Sequence, residues 1–323
     1  MRKKVLLAFL FLFFAVIASS LFLNPTSELS PVDIAPEELL VKTEEYYLIE
    51  IKETAPIIVD DRMIPRVSVV IKSRSFNKSL LNFTFKTPQA GYKFFSEGIF
   101  LYGYYSKWDA GLRSEAVFLD YNLTPKWWKV YEYNVSSYEL LYFNPKTAQE
   151  YKNYILMLGS VTRGFDKIKG IIFFNKTNGE FVRIFPAEGF ELLVVNEKAY
   201  MLSSRENEYY LTLYDLETGK SIKSIEANME ITPQPIDPFT GISIEFIGGE
   251  NYFALFFSEI LAGNGIYQKL CVYSLDLKLI DCVEFKSHNP QDKNRIAKAM
   301  FAGDYLILER NSRRKEVYRV CRD

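Results

Sequence analysis

Between Tyr209 and Ile222 the chain reads YYLTLYDLETGKSI. Apolar and polar residues alternate, a polar segment ending in Thr-Gly interrupts them, and the alternation resumes. A period of two places successive side chains on opposite faces of a strand, and the Gly-containing break predicts a tight turn, so the stretch reads as a β-hairpin. The same pattern returns in EAVFLDYNLTPKWWKVYEY (115–133), KGIIFFNKTNGEFVRIF (169–185) and QKLCVYSLDLKLIDCVEF (268–285). A second set of hairpins interleaves with these. FELLVVNEKAYMLSS turns at Asn196-Glu197, ISIEFIGGENYFALFFS at Gly248-Gly249, and KAMFAGDYLILER at Gly303-Asp304. Looser counterparts turn near 148 and at Glu97-Gly98. The last two intervals between turns are 53 and 54 residues, which predicts a repeated unit of about fifty residues.

Two hairpins per unit make four antiparallel strands. Near-continuous apolar runs such as FELLVV and YFALFF predict strands covered on both faces. A sheet of that kind cannot bury both faces alone, whereas sheets stacked around an axis cover one another. The expected fold is therefore all-β: a β-propeller of five four-stranded blades, with six as the alternative if 44–80 contributes its own sheet. A pair of β-sandwiches also suits the strand content, but the even spacing argues against it. The final unit, 296–321, supplies three strands, and YYLIEIK (46–52) or VSVVIKS (67–73) is expected to complete it. YLTLYDLETGK resembles the strand-turn-strand segment of PQQ-type propellers. In that family the glycine turn is followed by a docking Trp, where this chain has Ile222 or Ile225. The resemblance therefore implies the architecture, and no cofactor is expected.

The opening MRKKVLLAFLFLFFAVIASSLFL sets three basic residues, Arg2, Lys3 and Lys4, before an apolar run from Val5 to Leu23 broken by Ser19 and Ser20. That asymmetry predicts export, with 1–23 a cleaved signal peptide or an N-terminal membrane anchor. Val16 and Ala18 offer a small-residue cleavage site, while the run also reaches spanning length. Residues 24–45, rich in proline and acidic residues, read as a linker, and 46–323 as the propeller domain. The expected location is extracytoplasmic, anchored or secreted, with the membrane met through the N-terminal segment.

Composition adds little pull toward any partner. Lys plus Arg number 39 and Asp plus Glu 40, so no nucleic-acid partner is expected. The basic group Arg310, Arg313, Arg314, Lys315 and Arg319 reads as a solvated hairpin edge. Five Asn-x-Ser/Thr sequons stand at Asn77, Asn82, Asn122, Asn134 and Asn175, all in the first 175 residues. Asn122 is a poor acceptor because Pro125 follows its Thr, so Asn77, Asn82, Asn134 and Asn175 are the candidate glycosylation positions. Turn-forming Asn beside turn-forming Ser or Thr accounts for the same pattern. Of the three cysteines, Cys271 and Cys282 fall opposite each other if the hairpin between them is centred at Asp276-Leu277, which predicts a disulfide. A buried reduced pair is the alternative, and Cys321 is left over.

One histidine, His288, stands in KSHNPQDKNR. A Ser-His-Asp triad would need it, no nucleophile-elbow pattern accompanies it, and histidine metal sites need more than one. No metal is expected. Carboxylates and aromatics remain. YGYYSKWDAG brings Tyr104, Tyr105, Trp108 and Asp109 to a loop between two strands, a surface suited to glycan or protein recognition. Inter-blade packing explains the same residues. Asp60-Asp61 reads as a turn, and TPQPIDPFTG (232–241) as a stiff loop between blades. The functional expectation is a binding or scaffolding module for a protein or glycan. The alternative is a carbohydrate-active hydrolase using paired carboxylates in the propeller channel.

Overall fold

The computed structural model describes residues 29–31, 47–59, 62–73, 79–104, 113–132, 139–163, 166–206, 208–227, 242–261 and 265–320. All regular elements among them are strands. After β1 (Leu29–Pro31), sheet I holds β2 (Tyr47–Val59), β3 (Arg62–Ser73) and β4 (Ser79–Phe85). Sheet II holds β5 (Gln89–Phe95), β6 (Gly98–Tyr104), β7 (Arg113–Asp120) and β8 (Pro125–Glu132). Sheet III holds β9 (Glu139–Tyr151), β10 (Tyr154–Arg163), β11 (Asp166–Asn175) and β12 (Phe181–Pro186). Sheet IV holds β13 (Glu191–Val195), β14 (Lys198–Arg205), β15 (Glu208–Asp215) and β16 (Ser221–Glu226). Sheet V holds β17 (Ile242–Gly248), β18 (Tyr252–Leu261), β19 (Gly265–Ser274) and β20 (Leu279–Ser287). Sheet VI holds β21 (Ile296–Ala302), β22 (Tyr305–Arg310) and β23 (Lys315–Val320), with β1 as its fourth strand.

Alternation feeds two cores from one strand. On β6, Ile99 and Leu101 pack with sheet I, whereas Phe100 and Tyr102 pack with sheet III. On β14, Ala199 and Met201 join sheet III, and Tyr200 and Leu202 join sheet V. On β18, Phe253, Leu255 and Phe257 face sheet IV, and Tyr252 and Ala254 face sheet VI. One apolar cluster thus lies between each consecutive pair of sheets from I to VI. The first strands β5, β9, β13, β17 and β21 meet one another in series, which makes them the innermost strands. This is a β-propeller, and its described residues form six sheets.

The expected five blades are corrected to six, because β2, β3 and β4 pair with one another as a sheet of their own. β4 leads through three residues into β5, as β8, β12, β16 and β20 lead into the next sheet, so it holds the outer position. The strand that completes the last sheet is also corrected. Leu29 pairs with Val320 and Pro31 with Tyr318, so residues 29–31 close the ring rather than 46–52 or 67–73. A three-residue strand inside a proline-rich segment carries too little alternation to stand out. Leu29 is 4 % exposed and packs with Tyr252, Leu306 and Val320. The N-terminal apolar segment lies outside the described residues, and among those no helix is long and apolar enough to cross a membrane.

The glycine turns obey one design. Asn175 Oδ1 accepts the Thr177 amide at 2.8 Å, and Asp215 Oδ1 accepts the Thr218 amide at 2.7 Å. Gly179 and Gly219 both adopt φ of 70°, the left-handed conformation that glycine enters without a Cβ penalty. A Cβ on Gly179 would lie 2.7 Å from Trp127 of sheet II, and one on Gly219 would lie 2.9 Å from Phe185 of sheet III. Each turn is thus pressed onto an aromatic of the preceding sheet. Trp127 Nε1 donates to Lys176 O at 2.7 Å and Tyr131 Oη to Gly179 O at 2.6 Å. Tyr200 Oη does the same to Leu275 O of sheet V at 2.8 Å.

At the same end of the ring, the hairpins that follow the innermost strands are also tied in series. Ser96 donates to Glu150 (2.6 Å), Lys152 pairs with Glu197 (2.8 Å), Asn196 donates to Glu250 O (3.1 Å), and Asn251 to Asp304 (3.0 Å). The turn expected near 148 in fact falls at Lys152-Asn153, because β9 carries extra residues before it.

Two outcomes follow. Leu29→Ala should destabilise the chain by about 2–3 kcal/mol and lower the midpoint of a thermal melt by several degrees, while Ser312→Ala in an exposed turn should leave it unchanged. Cys271 and Cys282, with Cα atoms 4.1 Å apart and Sγ atoms 2.07 Å apart, close a short loop. Their joint replacement by Ala should lower stability by about 3 kcal/mol, read by denaturant titration with and without reductant.

Candidate functional site

The innermost strand of sheet III departs from a regular ladder. Leu156 pairs with Gln149 but Leu158 pairs with Asn144, so Pro145 to Ala148 form a bulge. Proline has no amide to donate to a ladder and is tolerated at such a bulge. The bulge is held from within. Thr147 Oγ1 donates to Asn144 O at 2.7 Å and accepts the Leu158 amide at 2.8 Å. The Ala148 carbonyl is thereby turned toward sheet II, where Lys93 Nζ of β5 donates to it at 2.7 Å.

Around this bulge the inner strands of four sheets bring together Lys93, Lys146, Glu191 and Glu245. Burial pushes the Glu191 carboxyl up to about 7, with the Glu245 charge adding to the rise and Lys93 and Lys146 opposing it. Burial likewise lowers the Lys93 ammonium to about 8, against the pull of Glu191. Lys146 lies over the Tyr104 ring, 5.0 Å from its centroid, a cation–π contact. Tyr102, 5.9 Å from Tyr104, has its phenol pushed up to about 12 by burial. The arrangement places one carboxyl that holds its proton near neutrality beside one exposed carboxylate and two ammonium groups.

A cavity of about 430 Å³ opens at the same end of the ring, between sheets III and IV. Asn144, Ser160, Lys167, Lys169, Phe190 and Ser203 line it, with Glu188 at its rim. Ser160 and Ser203 are buried, whereas Lys167, Lys169, Glu188 and Phe190 are exposed. Phe190 packs edge-on against Tyr209 at 6.0 Å. Phe190 adjoins Glu191, so the cavity and the axial cluster meet along the entry to β13.

Of the residues expected to recognise a ligand, Tyr104 ends β6 and joins the axial cluster through Lys146. Tyr105, Trp108 and Asp109 lie outside the described residues, as do Asp60, Asp61, 232–241, Cys321, Asn77 and Asn134. Asn82 is exposed on β4 and accepts a hydrogen bond from Ser68, and Asn175 caps its own turn. His288 is exposed between sheets V and VI. The basic group near the end is partly paired, with Arg310 2.6 Å from Glu316. Among the described residues, no three His, Cys, Asp or Glu side chains are grouped to hold a metal.

Sequence patterns missed Lys93, Lys146, Glu191 and Glu245, because four strands from four repeats supply one residue each. The one available signal was Asn144-Pro145 inside an otherwise strand-like run, which marks a bulge.

No described protein family and no curated protein matches the chain. Among solved structures it is similar to the Dos1 propeller, at 8 % identity and a TM-score of 0.42, covering 81 % of this chain and 76 % of that one. It is also similar to the WD40 domain of SCAP from fission yeast, at 10 % identity and a TM-score of 0.33, covering 90 % of each chain. A third is β-1,2-mannobiose phosphorylase from Listeria innocua in complex with β-1,2-mannobiose, at 11 % identity and 0.35, covering 92 % and 96 %.

The two shifted groups predict a pH signature. Glu191 ordinarily titrates at 4.5 and in the folded chain at about 7. The folded state therefore holds more protons between those values, and stability falls as pH rises through that window. Lys93 titrates at 10.5 when unfolded and at about 8 when folded, so its contribution recovers as pH rises from 8 to 10.5. Glu191→Gln should remove the lower limb alone. Its melting curve should match wild type near pH 4.5 and exceed it at pH 7.5 by about 1–2 kcal/mol, discounted for partial exposure.

Proposed function

We propose that the chain is an extracytoplasmic binding module, anchored or released through residues 1–23, that receives a protein or glycan at the end of the ring where the cavity opens. One observation carries this reading. The hairpin end is taken up by bonds between successive sheets, from Ser96–Glu150 to Asn251–Asp304. The opposite end instead presents a 430 Å³ opening lined by hydroxyl, amide and ammonium groups and an exposed ring. Pockets of this size with a few convergent polar groups are typical ligand sites. The basic head before the apolar N-terminal run and the Cys271–Cys282 pair both support an oxidising compartment outside the cytoplasm.

The proposal is tested by screening the detergent-solubilised full chain against a glycan array and a panel of extracellular proteins. Phe190→Ala with Lys169→Glu should reduce binding of any positive probe at least about tenfold, the loss expected when a charge-assisted contact is removed. Lys152→Ala at the hairpin end should leave it unchanged. The reverse pattern would refute the reading.

One observation favours a second reading, a carboxylate-dependent glycoside hydrolase. Burial pushes the Glu191 carboxyl up to about 7 near a second carboxyl, Glu245, and a pair of carboxyl groups is what such chemistry uses. Incubation with oligosaccharides and assay of released reducing ends separates the two. Binding alone predicts no release from wild type or Glu191→Gln, whereas hydrolysis predicts release that the substitution abolishes.

A further inference from the structure

We propose that the cavity between sheets III and IV is a site for an acidic sugar, the end of a glycan chain bearing a carboxylate or a sulfate. This inference rests on the binding-module reading and names the ligand class of its site.

Size comes first. A cavity of about 430 Å³ holds a small ligand, whereas a specific protein partner covers roughly 800 Å² of surface on each side. The walls come next. Ser160 on β10 and Ser203 on β14 face the cavity from two different sheets. Both are buried on regular strands. A hydroxyl both donates and accepts, as does each hydroxyl of a sugar, so such walls suit a polyol better than a purely acceptor or purely donor ligand.

The rim supplies a flat apolar surface. Phe190 is 37 % exposed and its ring is braced edge-on by Tyr209 at 6.0 Å. A braced ring loses little freedom when the C–H face of a pyranose settles on it.

Charge selects the acid. Lys167 and Lys169 lie on the same strand two residues apart, so both side chains emerge on one face of β11. Lys169 has no ion pair or side-chain hydrogen bond among the described residues and stands opposite Ser160 in the ladder. The one carboxylate of the lining, Glu188, is already approached by Arg205 at 3.9 Å. Lys169 is therefore left at the cavity mouth as a cation that a carboxylate or sulfate would complement.

Glycine backbone forms part of the cavity wall. Gly159, Gly170 and Gly189 line the cavity without side chains. A Cβ on Gly170 would fall 1.8 Å from the Phe185 carbonyl and one on Gly189 2.7 Å from the Leu202 carbonyl, so no larger residue can replace either without moving a strand.

The test is calorimetric titration of the detergent-solubilised full chain with four probes: a glucuronate-containing disaccharide, a sulfated disaccharide, neutral cellobiose and inorganic sulfate. At least one acidic disaccharide should bind about tenfold or more tightly than both cellobiose and sulfate, and the stronger of the two identifies the anionic group. Lys167→Gln with Lys169→Gln should erase that preference, and Lys169→Arg should retain it. All variants are at exposed positions and should melt with wild type. Equal affinity for cellobiose overturns the assignment of charge, and equal affinity for inorganic sulfate overturns the assignment of a sugar. Absence of binding by both acidic probes, or indifference to the lysine substitutions, overturns the site itself. Each of these failures leaves the binding-module reading standing if Phe190→Ala with Lys169→Glu still abolishes capture of another probe from the wider screen.

Discussion

Sheets II to V are each apolar on both faces, and that constraint governs the rest. Strands such as β6, β14 and β18 send successive side chains in opposite directions, each into a different core. Burial of apolar surface is the dominant favourable contribution to folding, and sheets II to V each need two neighbours to claim it in full. Gln268 shows how far the coupling reaches into polar groups. Its side chain donates to Ile296 O at 3.0 Å and accepts from Ile296 N at 2.8 Å, so a buried amide of sheet V stands in for a strand partner at the edge of sheet VI.

Polar fastening is arranged on the same principle. Glycine turns of sheets III and IV rest on Trp127 and Phe185, and the Leu275 carbonyl of sheet V is capped by Tyr200. Lys176 is buried yet lies 2.9 Å from Glu150 and 3.3 Å from Glu97, so one ammonium joins sheets II and III. A buried charge is tolerable when it is paired and hydrogen-bonded. The cluster around Glu191 follows a different logic. Its groups are held by four inner strands without such close pairing, and their protonation is displaced in consequence. Displaced protonation of this kind gathers at functional sites more than in structural networks.

Much of this was legible in the linear pattern, and the reasons are local. Turns at Asn196-Glu197 and Gly303-Asp304 fall where alternation breaks, since Asn196, Glu197 and Gly303 all adopt positive φ. Register alone placed Cys271 opposite Cys282. What failed did so for equally specific reasons. The extra residues at Pro145–Ala148 displaced one expected turn toward 148, because an Asn-Pro bulge and an Asn-Pro turn look alike until the ladder is seen. The first sheet was merged into its neighbours because β2 and β3 run 13 and 12 residues, too long for the fifty-residue rhythm to accommodate. The cavity was invisible because Ser160 and Ser203 become neighbours only when two sheets stack.

The pairing of Leu29 with Val320 has a consequence for how the protein comes into being. A ribosome releases the first partner long before the second, so β1 stands with a bare edge until β23 has been made. The entropy of joining such distant segments grows only slowly with separation. Waiting is the larger hazard, since an unpaired strand edge invites pairing with another nascent chain. A ring clasped by β1 and β23 therefore carries its most distant partners as the last pair to meet, and its least protected moment falls just before they do.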